Sequence, residues 1–286
     1  MKTLITTKPF SADTICLETI EASGNRKLTK SEHYQNLKIH NPDFIIAGTE
    51  TYSAKELDLC PNLKAISRVG VGISSIDQNE CKRRGIKIFN TPDAPSNSVA
   101  EFTVASILNM VKKLYLQDAS CWRKVLSRDI SSMNIGIVGY GKIGRKVEKM
   151  LKALKPKSCV ICDPFYENSY LCLSTLFKCC DIITFHIPGL DTPLNLTDFS
   201  QMKKDVIIVN TSRGAIFNEE DLYEFLKNNR EASASLDVFR EEPTSNKSLI
   251  SLPNVFATPH VASFSDVSRA RMEAEAVNNI VSNFYI

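Results

Sequence analysis

The 286-residue chain has no long hydrophobic run, no excess of either charge and few glycines. Each shortage excludes something. No apolar stretch approaches the roughly 18–20 residues that a membrane-spanning helix needs. The opening MKTLITTKPF meets Thr6, Thr7 and Lys8 too early for a secretory signal. The chain therefore reads as soluble and cytoplasmic, with no membrane partner. A formal net charge of +3 rules out a dominant polybasic arm or acidic tail, so no nucleic-acid partner is expected. Internal repeats and low-complexity tracts are absent. What remains is 43% hydrophobic and 23% charged, the composition of a packed globular protein long enough for two domains.

Nine cysteines is an odd number, and without an export signal a disulfide framework is a poor reading. Cys159 and Cys162 lie in a strand-like run and Cys179-Cys180 at the end of a short helical stretch, outside the turns that structural zinc ligands usually occupy. They read as core residues, and no metal site is expected.

Short apolar runs alternate with amphipathic segments, the rhythm of βαβ units around parallel sheets. The first third predicts strands at residues 4–6, 44–47, 64–67 and 86–90, with a helix over 76–84 stopped by Gly85. A helix over about 98–114 follows, with Ser98 and Glu101 spaced as a capping box. From residue 134 onward six strands are predicted, at 135–138, 159–162, 182–187, 206–210, 234–236 and 255–257, and then a terminal helix over about 266–282. The expected architecture is α/β, with two Rossmann-like or flavodoxin-like domains. Residues 1–97 and 264–286 form a discontinuous substrate-binding domain, and residues 98–263 a nucleotide-binding one.

Of only 11 glycines, four crowd into nine residues: Gly136, Gly139, Gly141 and Gly144. Gly139-Tyr-Gly-Lys-Ile-Gly144 follows a predicted strand and opens an amphipathic helix, the setting that gives Gly-x-Gly-x-x-Gly its meaning. Gly139 permits the tight turn, Gly141 lets the backbone approach a pyrophosphate, and Gly144 lets helix and strand pack closely. Asp163 stands 19 positions past Gly144 at the end of the next strand, where a carboxylate accepts from ribose hydroxyls and repels a 2′-phosphate. NAD is the expected cofactor.

Arg213, Glu242 and His260 follow three successive predicted strands at the edge where open α/β sheets bind ligands. A guanidinium clamps a carboxylate and polarises a carbonyl. An imidazole exchanges a proton with the substrate oxygen, and a carboxylate beside it fixes its orientation and favours the imidazolium.

Several ordered motifs carry a resemblance: Arg68-Val-Gly-Val-Gly72, Asn90-Thr-Pro92, Ser98-Val-Ala-Glu101, the glycine turn, His186-Ile-Pro188, Asn210-Thr-Ser-Arg-Gly214, Leu236-Asp-Val-Phe239 and Thr258-Pro-His260. Together the chain resembles the D-isomer-specific 2-hydroxyacid dehydrogenases. The resemblance implies an active site in the cleft between the domains, with Arg213, Glu242 and His260 catalytic and His260 the acid/base. It implies that Gly139, Gly141, Lys142, Ile143, Gly144, Asp163, His186, Pro188, Thr192, Thr211, Ser212 and Asp237 line the cofactor, with Asp237 near the nicotinamide carboxamide. Arg68, Val71 and Gly72 are implied to hold the substrate, Arg68 at its anionic end. The implied substrate is a small 2-hydroxy or 2-keto acid, with 3-phosphoglycerate leading and glyoxylate or hydroxypyruvate as alternatives. An NAD(H)-sensing binding protein on the same fold is the reading from another class. Ser74-Ser75 replaces the family's usual Asp-Asn, and the segment 114–133 around Trp122 is shorter than usual, although a homodimer is still implied. No serine-sensing regulatory domain is expected after Ile286.

Overall fold

A computed structural model describes residues 1–8, 10–14, 16–22, 28–167, 172–188 and 196–285. The chain forms two compact units: Met1–Pro95 with Ser265–Ile286, and Ser96–Phe264.

The first unit begins with β1 (Lys2–Ile5), β2 (Glu18–Glu21), α1 (Lys30–His40), β3 (Phe44–Ala47), α2 (Ala54–Leu57), β4 (Ala65–Arg68), α3 (Gln78–Arg84) and β5 (Lys87–Phe89). The strands make one parallel sheet in the order β2-β1-β3-β4-β5. Both faces are covered, so the strands read as apolar runs. Alternation sends Ile45 and Ile66 toward Leu37, Tyr52 and Leu57. Gly85 ends α3 in a left-handed conformation, φ 70°, as a C-terminal stop.

In the second unit come α4 (Ser96–Val111), β6 (Asn134–Val138), α5 (Lys142–Ala153), β7 (Ser158–Cys162), α6 (Leu173–Cys179), β8 (Ile182–Phe185), β9 (Ile207–Asn210), α7 (Glu219–Asn228), β10 (Ser233–Leu236), α8 (Lys247–Ile250) and β11 (Val255–Ala257). All six strands are parallel, in the order β11-β10-β9-β8-β6-β7. Ala100, Ile107 and Met110 of α4 join Val147 and Leu151 of α5 against Ile135, Ile182 and Val209. Leu176, Leu222, Leu226 and Leu249 of the other helices pack with Ile183, Phe185 and Ile208. Because β7 and β8 flank β6 on opposite sides, the topological switch falls between β6 and β8, where such sheets take their ligands. The chain then returns to the first unit as α9 (Asp266–Phe284), whose Met272, Ala276 and Ile280 cover Phe44, Ile46 and Ala65.

Three elements escape the sequence reading: β2, α1 and α2. The Ser98–Glu101 capping box is also overturned. Helix α4 starts at Ser96, so Ser98 lies inside it, and Glu101 instead accepts from Asn97 Nδ2 one turn back at 2.5 Å. The same spacing caps two unforeseen helices, with Thr29 and Glu32 closing a reciprocal box on α1 and Ser53 and Glu56 one on α2.

All nine cysteines are free thiols. Cys180 sits in the core with Leu176, while Cys159 and Cys162 lie along β7. Among the described residues no group of three or more His, Cys, Asp or Glu side chains could hold a metal ion. Nor is any helix of the described residues long and apolar enough to cross a membrane.

Candidate active site

The glycine turn leaves β6 at the switch. Gly139 adopts φ 92°, and a Cβ there would lie 2.5 Å from the carbonyl oxygen of His186, so both conformation and space require glycine. A Cβ on Gly144 would lie 2.2 Å from the Gly139 carbonyl oxygen, which fixes how closely α5 approaches the turn. Around Gly141 the opposite holds: nothing among the described residues stands within 4 Å of its Cβ position. Gly141 is the N-cap of α5 and Lys142 and Ile143 open the helix, so the first turn of α5 begins at this open position.

Asp163 has a structural task that the sequence did not disclose. Its Oδ2 accepts from the Tyr140 amide at 2.5 Å and its Oδ1 from the Phe165 amide at 2.8 Å, so the carboxylate ties the glycine turn to the end of β7. Beside it, Tyr140 and Tyr166 lie with ring centroids 4.4 Å apart. The Arg145 guanidinium stands over both rings, and its Nε donates to the Tyr140 carbonyl at 3.0 Å. No periodicity signals such a stack, because its members come from three different segments.

His186 follows β8. Its Nε2 lies 3.1 Å from Thr184 Oγ1, and its Nδ1 is buried without a hydrogen-bond partner among the described residues. Burial pushes its pKa down to about 3, so the ring stays neutral at physiological pH. Pro188 is exposed two residues on, and Thr192 lies outside the described residues.

The catalytic candidates occupy the turns after β9, β10 and β11. Asn210 shapes the first turn: its Oδ1 accepts from Ser212 N and Oγ, and its Nδ2 donates to the Arg213 carbonyl at 2.9 Å. Thr211 and Ser212 are buried, and the Thr211 hydroxyl meets that of Thr103 at 2.8 Å. Arg213 Nη1 donates to the Ser212 carbonyl at 2.6 Å. Burial lowers the Arg213 pKa, and the charge of Glu242 opposes that shift. Gly214 lets the next turn close in, since a Cβ on it would fall 1.9 Å from the Phe239 carbonyl carbon.

Asp237 is 1% exposed, and its carboxylate holds the turn that carries His260. Oδ1 accepts from the Thr258 hydroxyl at 2.6 Å and the Val261 amide at 2.9 Å, and Oδ2 from the Ala262 amide at 2.8 Å. Its own carbonyl accepts from the His260 amide at 2.9 Å. His260 stands at φ 54°, a conformation that a non-glycine residue keeps only where its surroundings impose it. Its Nδ1 meets Glu242 Oε2 at 2.6 Å, while Glu242 Oε1 accepts from the Phe239 amide at 3.1 Å. Burial alone would raise the Glu242 pKa. The hydrogen bond and charge of His260, the Phe239 amide and the charge of Arg213 outweigh it and hold the carboxyl below its usual range. The His260 side chain is 49% exposed, and its Nε2 takes no hydrogen bond among the described residues. An oriented imidazole with one nitrogen turned outward is fit to pass a proton to a ligand.

In the first unit, Arg68 ends β4, and Val71 and Gly72 follow it. Gly70 adopts φ 144°, and the Arg68 side chain folds back over it, with Nη1 donating to the Val69 carbonyl. Val71 is exposed, and its carbonyl accepts from Asn90 Nδ2 at 2.8 Å.

Residues 104–262 match the family model described as D-isomer specific 2-hydroxyacid dehydrogenase, NAD binding domain. The chain belongs to that family. The hydroxypyruvate reductase of Thermotoga maritima is 33% identical, over 82% of this chain and 82% of the relative. The D-3-phosphoglycerate dehydrogenase of Archaeoglobus fulgidus is also 33% identical, over 76% of this chain but 45% of the relative, so the chain spans about half the length of that enzyme. Among solved structures, the TT0316 protein of Thermus thermophilus superposes with a TM-score of 0.86 at 27% identity, covering 98% of this chain and 96% of that one.

As a D-2-hydroxyacid dehydrogenase the chain uses NAD. The residues of the second unit fit the dinucleotide. A cradle that two glycines close and a third leaves open adjoins a helix N-terminus, and the orphaned His186 Nδ1 follows the neighbouring strand.

Proposed function

We propose that Arg213, Glu242 and His260 carry out the interconversion of a 2-keto acid and its D-2-hydroxy acid, with the remaining cofactor candidates lining the dinucleotide site. The observation that carries this reading is the 2.6 Å contact between His260 Nδ1 and Glu242 Oε2, with Nε2 taking no hydrogen bond among the described residues. NADH, held at the glycine turn when bound, would supply the hydride for the new C–H bond at C2. As the carbonyl π bond breaks, its electron pair moves onto oxygen, which takes a proton from Nε2 of protonated His260. Arg213 polarises that carbonyl, and Glu242 orients the ring and stabilises its charge. Oxidation runs the same steps in reverse. In the first unit, the amides of Val71 and Gly72 hold the substrate carboxylate.

The substrate proposed is a three-carbon acid with an oxygen at C3. Arg68 favours 3-phosphoglycerate and 3-phosphohydroxypyruvate. A second reading, glycerate and hydroxypyruvate, is favoured by the carboxylate of Glu50 on the neighbouring strand end. The exposed Leu114, Trp122 and Leu126 form the segment assigned to a second copy of the chain in a homodimer.

NADH consumption across phosphohydroxypyruvate, hydroxypyruvate, glyoxylate, pyruvate and 2-ketoglutarate tests the reading. Turnover strongest on a C3-oxygenated acid is the expected result. Silence on every acid, with NADH still bound, would make the chain a nucleotide-binding protein instead.

A further inference from the structure

The order β2-β1-β3-β4-β5 places the topological switch of the first unit between β1 and β3. A ligand of such a sheet sits outside the carboxyl ends of the strands at that switch. Thr6 follows β1 there, and Gly48 and Glu50 follow β3. Glu50 Oε2 accepts from the Gly48 amide at 2.8 Å and from the Thr6 hydroxyl at 3.2 Å. Thr6 Oγ1 in turn lies 3.0 Å from the hydroxyl of Tyr52, which is 1% exposed. The single Thr6 proton goes to the Ile46 carbonyl and Glu50 carboxylate acceptors, which leaves the Tyr52 phenol as the donor to Thr6. Tyr52 gives to Thr6 and Thr6 gives to Glu50. The relay fixes the carboxylate in place, and its Oε1 takes no hydrogen bond among the described residues.

Arg68 ends the adjacent strand, in register with Ala47, and Tyr52 feels both its charge and that of Glu50. The charge of Arg269 at the same edge is matched by Glu273, to which its Nε donates at 2.5 Å. A phosphate brought to this switch meets a fixed negative charge. A hydroxyl brought there meets an acceptor.

We infer that Glu50 is the specificity-determining residue of the substrate site, and that it selects a keto acid with a free hydroxyl at C3 over its phosphorylated counterpart. This rests on the reaction proposed above.

The test compares kcat/KM for hydroxypyruvate and phosphohydroxypyruvate, with NADH, in the wild-type chain, Glu50→Gln and Glu50→Asp. Wild type is expected to prefer hydroxypyruvate by about 100-fold, as one desolvated like-charge contact provides. Glu50→Gln is expected to narrow the ratio by about tenfold or more, mainly through the KM for phosphohydroxypyruvate. Glu50→Asp, which keeps the charge, is expected to retain the preference, and NADH fluorescence titration reports whether each variant is folded. Wild-type preference for phosphohydroxypyruvate overturns the inference. So does a Glu50→Gln variant that binds NADH with the ratio unchanged. Wild-type silence on both acids removes the proposed reaction itself, and the assignment of Glu50 with it.

Discussion

Gly214→Ala is expected to abolish cooperative folding of the second unit or to lower the Tm by more than about 10 °C. The added Cβ would fall 1.9 Å from the carbonyl carbon of Phe239, 2.1 Å from its oxygen and 2.4 Å from the Arg240 amide nitrogen. All three are backbone atoms, so no side-chain rotation relieves the clash. The turns after β9 and β10 must part, and with them the residues that follow, Arg213 on one side and Glu242 on the other. Overpacking on backbone belongs to the small class of substitutions that cost more than about 4 kcal/mol. Gly141→Ala is the internal control, because nothing among the described residues lies within 4 Å of its Cβ and its φ of −74° suits any residue. It is expected to melt within about 2 °C of wild type. Thermal unfolding followed by circular dichroism separates the two, and a Gly214→Ala protein that melts like wild type contradicts the close approach of the turns.

Asp237→Ala is expected to cost several kcal/mol of stability and to lower kcat. The substitution strips one hydroxyl and two amide donors of their acceptor. Each donor left buried and unsatisfied costs about 1–3 kcal/mol. The consequence for activity comes through geometry, because these bonds hold the turn on which His260 keeps its left-handed backbone. Asp237 is thus a positioning residue as well as a cofactor candidate. Asp237→Asn retains Oδ1 with its two donors and should recover part of both losses. Equal loss of kcat in the Asn and Ala variants, with Tm unchanged in both, would remove Asp237 from the support of His260.

The parallel strands were legible because burial on both faces writes them as apolar runs, as in Phe44–Ala47, where expectation and structure coincide. Helix α1 was not. Only Leu37 among its apolar residues is buried, beside His33 and Asn36, so it has no apolar stripe to read. Its signal was the Thr29–Glu32 spacing, and the same spacing misled at Ser98. Capping geometry depends on where the backbone enters the helix, which residue identity alone does not state.

The site divides along a similar line. Glu242 and His260, 18 residues apart, could be paired through strand-end positions and family motifs, and the structure places them in hydrogen-bond contact. The roles of Gly214 and Asp237 in building that contact depend on which turns abut, and Tyr140, Tyr166 and Arg145 gather only when β6 and β7 lie side by side. Proximity of that kind has no periodicity to betray it.

Two histidines stand at strand ends in the second unit, and the proposed mechanism gives the proton to His260 alone. His186 has its Nδ1 buried and is held neutral, whereas His260 is half-exposed and paired through Nδ1 with Glu242. The decisive measurement is kcat for NADH oxidation at saturating hydroxypyruvate in His260→Ala and His186→Ala side by side, with NADH binding verified in both. Loss of about 10³-fold in His260→Ala, against less than about tenfold in His186→Ala, is the predicted result. Full activity in His260→Ala would contradict the assignment of the proton to this histidine.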